Sequence, residues 1–363
     1  ARMASARRAG VRFVEPNNRY AAQSVPSDEL FAQQWSLADD RQLGVQAAWD
    51  VTTGGGPVVA VIDTGADLTH PDLRDNLWRN PREVPGNGVD DDANGFVDDV
   101  NGVDLLNRDG DPTDDNGHGT HVAGILAARG ANRIGVTGVA QRAKVMVIKA
   151  LGADSVGSAL TMAEGVRYAV ANGARIINMS VSGPGRSQAF EEAVQAASDA
   201  GAIMTVAAGN SGHDLDLRPE YPAGFTASHL LAVAATSRTG RLIGISNRGT
   251  GTVDIAAPGQ SIVSTAMGGD YEIRSGTSMA APHVAGTLIL LAAARPDLGA
   301  DALQTAVLTS AHRGVAVTAG SLDIDGAMRK VVSPARWRAA LRAGSVKGAS
   351  AKKRARVRAT LAG

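Results

Sequence analysis

The sequence predicts an α/β domain whose doubly wound, mainly parallel sheet carries helices on both faces. Three observations lead to this prediction. The 363 residues are 44% hydrophobic and 20% charged, a soluble globular balance. Short apolar runs, typical of strands buried on both faces, alternate with longer helical patterns. The most apolar stretch, 284–294, is about 11 residues long, short of the ~18 needed to cross a bilayer. No membrane span is therefore expected.

The predicted strands and helices alternate along the chain. The strands are expected at 58–62, 144–150, 175–178, 202–207, 231–235 and 253–256. The helices are expected at 120–129, 158–172, 187–200 and 279–294, and Gly173 and Gly201 stand where C-terminal caps belong. In doubly wound folds ligands collect beyond the carboxyl ends of the strands, so polar residues directly after these runs are the candidates for function.

Charge divides the chain into three regions. Residues 1–25 carry five Arg and one Glu, and residues 336–363 carry nine basic residues and no acid. The predicted main domain, 26–335, holds 22 basic and 35 acidic residues, a net charge of −13. The basic tail is interpreted as a solvated tail or a linker. Because no aromatic residues are interleaved within 339–363, no nucleic-acid partner is expected. The absence of Cys excludes disulfides, so metal ions would have to supply the additional stability that a secreted protein needs.

Three polar residues suggest nucleophilic catalysis when they are considered together. Asp63 ends the first predicted strand, His118 opens a helix between two glycines, and Ser278 opens the most apolar helix. Taken singly, each has a simpler explanation, respectively a turn, a structural histidine and a helix cap. A serine hydroxyl, however, needs a base to remove its proton, and the base needs an acid to orient it. These three side chains supply one of each.

Three segments of this chain resemble the signatures of the subtilases, the subtilisin-like serine proteases, most closely the thermitase-like branch. They are VIDTG at 61–65, GHGTHVAG at 117–124 and GTSMAAPHVAG at 276–286. The resemblance covers roughly 26–332 and implies a subtilisin-like fold. It also implies that Asp63 orients His118, that His118 acts as general base and then acid, and that Ser278 attacks the peptide carbonyl. Asn210 would donate its side-chain amide to the oxyanion.

The same resemblance implies where a peptide substrate binds. Family members hold an extended peptide between two backbone segments, and the matching residues here are Ser180, Val181, Ser182 and Gly183 on one side and Ser155, Val156 and Gly157 on the other. Ala207 and Gly209 precede Asn210 in the same pocket. Ser182 stands where the family usually has Gly, and it would either narrow the pocket or turn outward. Glu220 resembles the pocket base and predicts a weak preference for Lys or Arg before the scissile bond, although a solvated loop Glu is the simpler alternative.

Two or three Ca²⁺ sites are expected. By resemblance, one ion would be held by Asp104, Asp109, Asp111 and Thr113, and a second by Asp28, Asp72, Asn132 and the carbonyls of Arg129, Ile134 and Val136. The third candidate comes from spacing alone: Asp90, Asp92, Asn94, Phe96 and Asp98 occupy ligand positions of an EF-hand-like loop, with Gly95 at its sharp turn. Position 12 is Asn101, so another acid would have to replace the usual bidentate Glu. An Asp-rich solvated turn is the alternative.

The amino-terminal segment 11–25 resembles the end of the family's inhibitory propeptide, with an unrelated extension as the alternative. We therefore expect a propeptide remnant at 1–25, the propeptide acting as an intramolecular inhibitor, a secreted monomer, and protein or peptide substrates. A non-catalytic calcium-binding module is the competing hypothesis, but every catalytic position is filled. A nucleotide-binding protein is disfavoured because the glycine run at 54–56 precedes the first strand instead of following it.

Overall fold

The computed structural model describes residues 26–337; the proposed amino-terminal remnant and most of the basic tail lie outside this range. The strands are β1 (Val58–Asp63), β2 (Gly102–Asp104), β3 (Lys144–Lys149), β4 (Ile176–Met179), β5 (Ile203–Ala207), β6 (Leu230–Thr236), β7 (Ile255–Pro258), β8 (Ile262–Ala266), β9 (Asp270–Arg274) and β10 (Gly320–Ser321). The helices are α1 (Trp35–Ala38), α2 (Asp40–Leu43), α3 (Val45–Trp49), α4 (His118–Ala127), α5 (Ala159–Ala171), α6 (Gln188–Asp199), α7 (Thr277–Ala294), α8 (Ala300–Ser310) and α9 (Ile324–Val331).

Eight of these strands form one sheet in the order β10-β7-β6-β5-β4-β1-β3-β2. Every neighbouring pair in this sheet is parallel, and β1 lies between β3 and β4. The carboxyl ends of β1, β4 and β5 therefore lie along the same edge of the sheet. This edge is where polar residues after the strands meet.

Alternate strand residues enter two separate hydrophobic cores, one on each face of the sheet. Val59 and Val61 of β1 pack into the core that contains the apolar residues of α4 and α7. Ala60 and Ile62 pack into the opposite core, with residues of α5 and α6. Successive side chains of a strand point to opposite faces, so a continuous apolar run is what a sheet covered on both faces requires. The predicted doubly wound fold is confirmed.

The four predicted helices and six predicted strands are present, with ends that differ by a few residues. Ser158 forms a capping box with Thr161 at the start of α5, and Ser187 caps α6. Strand β2, the antiparallel hairpin β8–β9 and the two-residue strand β10 were not predicted. Nor were the short helices α1–α3, or α8 and α9 near the carboxyl end of the domain. Within residues 26–337, α7 is the one helix long and apolar enough to cross a membrane, and 94% of it is buried in the protein interior. It is the central helix of the core.

Candidate active site

Asp63 and His118 form a close pair at the carboxyl edge of the sheet. Asp63 is the last residue of β1 and is fully buried, and His118 is the first residue of α4. One carboxylate oxygen of Asp63, Oδ1, accepts from Thr64 N at 2.8 Å and lies 2.6 Å from His118 Nδ1. This contact directs Nδ1 to the acid and leaves Nε2 as the nitrogen that faces other groups.

The environment of His118 favours its protonated form. Burial by itself lowers the pKa of His118, but the charge and hydrogen bond of Asp63 outweigh burial, so the pKa is raised above the ordinary value of 6.5. The Arg274 cation opposes this increase. A cation formed on His118 is therefore stabilised by the buried carboxylate beside it.

Asp114 fixes the loop that delivers His118 to this position. Its carboxylate accepts from the Thr64 hydroxyl at 2.8 Å, from Gly117 N at 2.9 Å and from the Thr120 hydroxyl at 2.6 Å. The chain then passes so close to β1 that a Cβ atom at Gly119 would lie 2.1 Å from the Gly65 carbonyl oxygen, so only glycine fits at 119. Asp114 was not predicted from the sequence, where its position four residues before His118 was the available signal.

Lys149 is a second residue that the sequence analysis missed. It is the last residue of β3, pairs in register with Asp63, and its side chain is 3% exposed. The Nζ atom donates to Asp115 Oδ1 at 2.6 Å, to Thr64 O at 2.9 Å and to Leu151 O at 3.0 Å. This buried cation ties the segments that follow β1 and β3 together. A Lys at the end of an otherwise apolar run was the signal.

Ser278 lies in the first turn of α7 and is bonded to the segment after β4. Its hydroxyl donates to the Ser180 carbonyl at 3.1 Å, and the Ser180 hydroxyl donates to the Ser278 carbonyl at 2.9 Å. Ser180 and His118 line the same cavity. Ser278 is therefore held next to Ser180, a residue of the cavity that His118 also lines, with its hydroxyl turned toward Ser180.

Asn210 is oriented by the residue before Ser278. Its amide oxygen accepts from Thr277 N at 2.9 Å and from the Thr277 hydroxyl at 3.1 Å, and the Thr277 hydroxyl accepts from Gly209 N at 3.1 Å. Because the amide oxygen is occupied, the NH₂ group is the part of Asn210 left to donate beside Ser278. Gly276 has no side chain to cap α7, and Asn210 Oδ1 accepts from Thr277 N of the first turn, so the positive end of the helix dipole is at the same place.

A cavity of about 440 Å³ extends from His118 between the two predicted substrate segments. Ser155, Val156 and Gly157 line one side and Ser180, Val181, Ser182 and Gly183 line the other. Leu151, Met162, Phe190 and Tyr221 add apolar walls. Gly183 and Tyr221 form a two-way backbone bridge at 2.9 and 2.7 Å, which fixes one wall. The two segments that the family resemblance assigned to substrate are therefore brought together.

Ser182 and Glu220 contact each other. The Ser182 hydroxyl donates to Glu220 Oε2 at 2.6 Å, and His213 Nδ1 lies 3.3 Å from Oε1. Burial alone would raise the pKa of Glu220, but hydrogen bonds led by that from Ser182 lower it. Glu220 is thus held as a carboxylate. Gly209, with φ +101°, passes so close that a Cβ atom there would lie 2.4 Å from Glu220 Oε2. Ala207 precedes this turn as the buried last residue of β5.

Asp28 and Asp72 lie close to the loop at 129–136. Asp28 accepts from Ala131 N at 2.8 Å and Asn132 N at 3.3 Å, and Asp72 accepts from the Asn132 side chain at 2.6 Å and Val136 N at 3.0 Å. Arg129 N and Ile134 N donate within this assembly, to Asp72 O and Asn132 Oδ1. The side chains of the set expected from the family resemblance are therefore gathered around one loop. Tyr271, not predicted, donates to Asp72 at 2.9 Å.

The residues of the first expected Ca²⁺ site each bond within their own turn. Asp104 accepts from Leu106 N and Asn107 N, Asp109 from Asp111 N, and Asp111 from Thr113 N and its hydroxyl. Asp104 and Asp109 also exchange backbone hydrogen bonds at 2.9 and 3.2 Å. The three aspartates direct their carboxylates at local N–H groups, and the Thr113 hydroxyl donates to Asp111.

In the Asp-rich loop, a residue outside the predicted set meets Asp90 and Asp92. Among residues 26–337, Glu83, Asp90 and Asp92 form the group of three acids whose ligand oxygens all lie within 4.8 Å of one another. Glu83 is 7% exposed; its Oε1 accepts from Asp91 N and Asp92 N, while its Oε2 is buried without a hydrogen-bond partner. Asn94 N donates to both aspartates, and Arg82 lies 3.0 Å from Asp92.

The Asp98 side chain of the predicted loop set is directed elsewhere. The Asp98 carboxylate accepts from Gly86 N, Asn87 N and Gly88 N, so it caps a neighbouring turn instead of joining Asp90 and Asp92. Phe96 donates its N–H to Asn94 Oδ1 and buries its ring against Tyr168. The spacing rule placed Asp98 by position, whereas the left-handed backbone at Asp98, φ +52°, turns it away from the loop.

A mainly parallel α/β sheet with Asp63, His118, Asn210 and Ser278 on segments at its carboxyl edge is an arrangement typical of serine hydrolases. Residues 54–349 match the model of the subtilase family, and the chain belongs to that family. It is 37% identical over 283 residues to a thermophilic serine proteinase of Bacillus sp. (strain AK1), covering 78% of this chain and 63% of that protein. It is 35% identical over 273 residues to thermitase of Thermoactinomyces vulgaris, covering 74% and 85%.

Solved structures agree with the sequence relatives. A protease of Pseudoalteromonas arctica superposes with a TM-score of 0.73 at 29% identity, covering 85% of this chain and all of that one. A cold-adapted subtilisin-like serine proteinase superposes with a TM-score of 0.61 at 31% identity, covering 75% and 88%. The predicted subtilisin-like fold and family are confirmed. The chain spans 63%, 55% and 46% of the length of three curated relatives, from Bacillus, Plasmodium berghei and Plasmodium vivax.

Proposed function

We propose that this protein is a calcium-stabilised serine endopeptidase that hydrolyses peptide bonds of protein substrates through an acyl-enzyme intermediate. The observation that carries the proposal is the 2.6 Å contact of Asp63 with His118 on the rim of a cavity whose other wall, Ser180, is bonded to Ser278. These contacts support a mechanism in which an acid, a base and a nucleophile act at one cleft. The family membership and the relatives named as proteinases support the same reaction.

The proposed reaction begins when a substrate displaces the Ser278 hydroxyl from Ser180. Rotation about the Cα–Cβ bond of Ser278 would turn its hydroxyl toward His118 Nε2, which removes the proton as the oxygen attacks the carbonyl. The raised pKa of His118 matches this role, because the imidazolium that forms lies beside the Asp63 carboxylate. His118 then gives the proton to the leaving amine. Water repeats the cycle to release the acyl group.

The oxyanion of the tetrahedral intermediate would be met by two donors. Thr277 occupies the amide oxygen of Asn210, which orients the Asn210 NH₂ group as a donor. The N–H of Ser278, at the start of α7, would be the second. Fixed donors in a partly buried site stabilise developing charge without having to reorganise.

Substrate would bind as an extended segment between 180–183 and 155–157, with its acyl side chain in the 440 Å³ cavity. Ser182 and Glu220 would set a weak preference for Lys or Arg before the scissile bond. We also propose that the enzyme is a secreted monomer, inhibited by its own propeptide before maturation, with 1–25 a remnant of that propeptide.

Ca²⁺ would be held at two or three places and would stabilise the fold. The residues around the 129–136 loop and those of 104–113 are the candidates implied by family resemblance. At the Asp-rich loop, Glu83 supplies the acid that position 12 lacks. Its buried Oε2 has no hydrogen-bond partner, and a hard cation between Glu83, Asp90 and Asp92 would satisfy it.

Covalent labelling tests the proposal directly. A fluorophosphonate should label Ser278 in the wild type and should not label Ser278→Ala, as read by peptide mass spectrometry. Casein hydrolysis, measured with and without chelator, should be abolished by the same substitution. If the protein binds Ca²⁺ but neither labels nor hydrolyses casein, it is a non-catalytic calcium-binding module and the proposal is wrong.

A further inference from the structure

Arg274 places a positive charge beside His118 on the strand that leads into α7. It is the last residue of β9, four positions before Ser278. A Cβ atom at Gly117 would lie 3.2 Å from Arg274 Nη2 and 3.7 Å from Met267. The guanidinium therefore lies against the backbone that carries His118, and its side chain is 28% exposed.

The counterion of Arg274 is on the same strand and uses only part of the guanidinium. Glu272 Oε1 accepts from Arg274 Nε at 2.8 Å and lies 2.7 Å from Nη2. Nη1 takes no part in this pair. The Arg274 charge nevertheless acts on the imidazole, because it opposes the increase in the pKa of His118. A second carboxylate could therefore approach the free edge of the guanidinium near His118.

The hairpin β8–β9 packs on α4, the helix that begins at His118, and is separate from the substrate cavity. The hairpin is fixed on α4, since the Ser264 hydroxyl donates to His121 O at 2.8 Å and the Thr265 hydroxyl donates to Thr120 O at 2.7 Å. His118 lines the cavity, and no residue of 262–274 does so. In the proposed reaction the acyl half of the substrate occupies the cavity and His118 protonates the amine that leaves. The leaving half would therefore lie outside this cavity, and Arg274 is a charged side chain that lies outside it, against the backbone next to His118.

On this geometry, and resting on the proposed function, we propose that Arg274 selects substrates with Asp or Glu as the first residue after the scissile bond. The guanidinium would bind that carboxylate through the edge that Glu272 leaves free. Lys or Arg at the same substrate position would be disfavoured by repulsion. This preference concerns the leaving side and is separate from the preference proposed for Glu220 on the acyl side.

Three internally quenched peptides that differ only in that residue, Glu, Gln or Lys, test the proposal with the full chain at low salt. The cleavage site of each is checked by mass spectrometry. The ratio of kcat/KM for the Glu peptide to that for the Lys peptide should be about tenfold, with the Gln peptide between them. In Arg274→Gln the ratio should fall to about one. In Glu272→Gln, which removes the counterion, the ratio should rise.

Salt provides a measurement that does not depend on any substitution. In the wild type the ratio should fall toward one in ~1 M NaCl, where the screening length is only about 3 Å. A wild-type ratio near one, or a ratio that Arg274→Gln leaves unchanged, would overturn the assignment of Arg274 while the protease activity itself stands. If no peptide is cut and Ser278 takes up no fluorophosphonate, the proposed function fails and this proposal fails with it.

Discussion

Asp63 and Glu83 are buried carboxylates that each have one oxygen without a hydrogen-bond partner, but their neighbours differ. In the described part of the chain, Asp63 Oδ2 and Glu83 Oε2 are the buried carboxylate oxygens without a hydrogen-bond partner. Asp63 faces His118, a group that becomes a cation. Glu83 faces Asp90 and Asp92, which add negative charge. A buried carboxylate needs a positive partner or a proton. For Asp63 that partner would be the cation formed on His118, and for Glu83 it would be the proposed cation from solution.

The segments around the two acids are also held by different kinds of contact. Around Asp63, the loop is fixed by long-range contacts such as the Thr64 hydroxyl to Asp114 and Lys149 to Asp115. Around Glu83, the carboxylates accept mainly from backbone N–H groups a few residues away. The first region is therefore held by the fold itself, whereas the second should be held more firmly when an ion is bound.

Replacing Asp63 by Asn should remove the charge that His118 needs during catalysis, and it should cause the largest loss of activity. Asn keeps an oxygen for Thr64 N but removes the charge that stabilises the His118 cation, and it allows the wrong tautomer. We expect kcat with a fluorogenic peptide to fall about 10⁴-fold. Circular dichroism should remain that of the wild type. A loss smaller than about tenfold would contradict the role assigned to Asp63.

The pH dependence of kcat/KM in the wild type tests the effect of Asp63 on the pKa of His118. Only neutral His118 accepts the proton of Ser278, so kcat/KM should rise with pH through the pKa of His118 in the free enzyme. Because Asp63 outweighs burial and raises that pKa, the midpoint should lie above 6.5. Arg274→Gln should move the midpoint higher, because it removes a cation that opposes protonation. A midpoint below 6.5 would mean that burial, and not Asp63, governs the imidazole.

Replacing Asn210 tests the stabilisation of a third negative charge, the oxyanion, which exists only during the reaction. Asn210→Ala should lower kcat by about 10²–10³ with a small change in KM, because a donor to the oxyanion is lost. Thr277→Val is the matched control, since it keeps the Asn210 NH₂ group and the Thr277 N–H bond to the amide oxygen, and removes only the second donor, the hydroxyl. Its loss should be clearly smaller. Equal losses in the two variants would assign Asn210 to the structure of the loop and not to the oxyanion.

The effect of calcium removal on Tm tests whether Glu83 helps to bind a cation. Calcium at 100 times its Kd stabilises the folded state by about 2.7 kcal/mol per site, so a chelator should lower Tm by several degrees. Glu83→Gln should reduce the calcium-dependent part of Tm. Asp98→Asn should not, because Asp98 caps the 86–88 turn. If Glu83→Gln leaves the calcium dependence intact, the Asp-rich loop is a solvated turn and any dependence belongs to the other candidate sites.

The fold and the four candidate catalytic residues could be predicted because their signals are local. Apolar runs such as 58–62 define strands, and a motif such as GHGTHVAG fixes both the helix start and the close approach at Gly119. The family resemblance then supplied the roles. The hairpin β8–β9 was missed because its exposed strand β9, with Glu272 and Arg274, lacks the continuous apolar pattern.

Two site residues, Lys149 and Arg274, were missed because their partners are distant in sequence. Lys149 stabilises the site through Asp115, and Arg274 reaches Gly117 only after the hairpin packs on α4. Glu83 joins Asp90 through a turn that periodicity does not specify. The spacing rule therefore included Asp98 and omitted Glu83. Spacing gives candidates, and the backbone path decides which side chains meet.

Glu220 is the third acid in this comparison. Its substitution should have the smallest effect, a change in substrate preference. Its carboxylate already accepts from the Ser182 hydroxyl at 2.6 Å and lies 3.3 Å from His213, so little of its charge is left for a substrate. We expect a reporter peptide with Arg before the scissile bond to be cut a few-fold faster than one with Phe, and Glu220→Gln to remove the difference. Ser182→Gly, which frees Oε2, should increase the preference for Arg. Equal rates for the two peptides in the wild type would show that Ser182 and His213 satisfy Glu220 completely and that its charge does not reach the substrate.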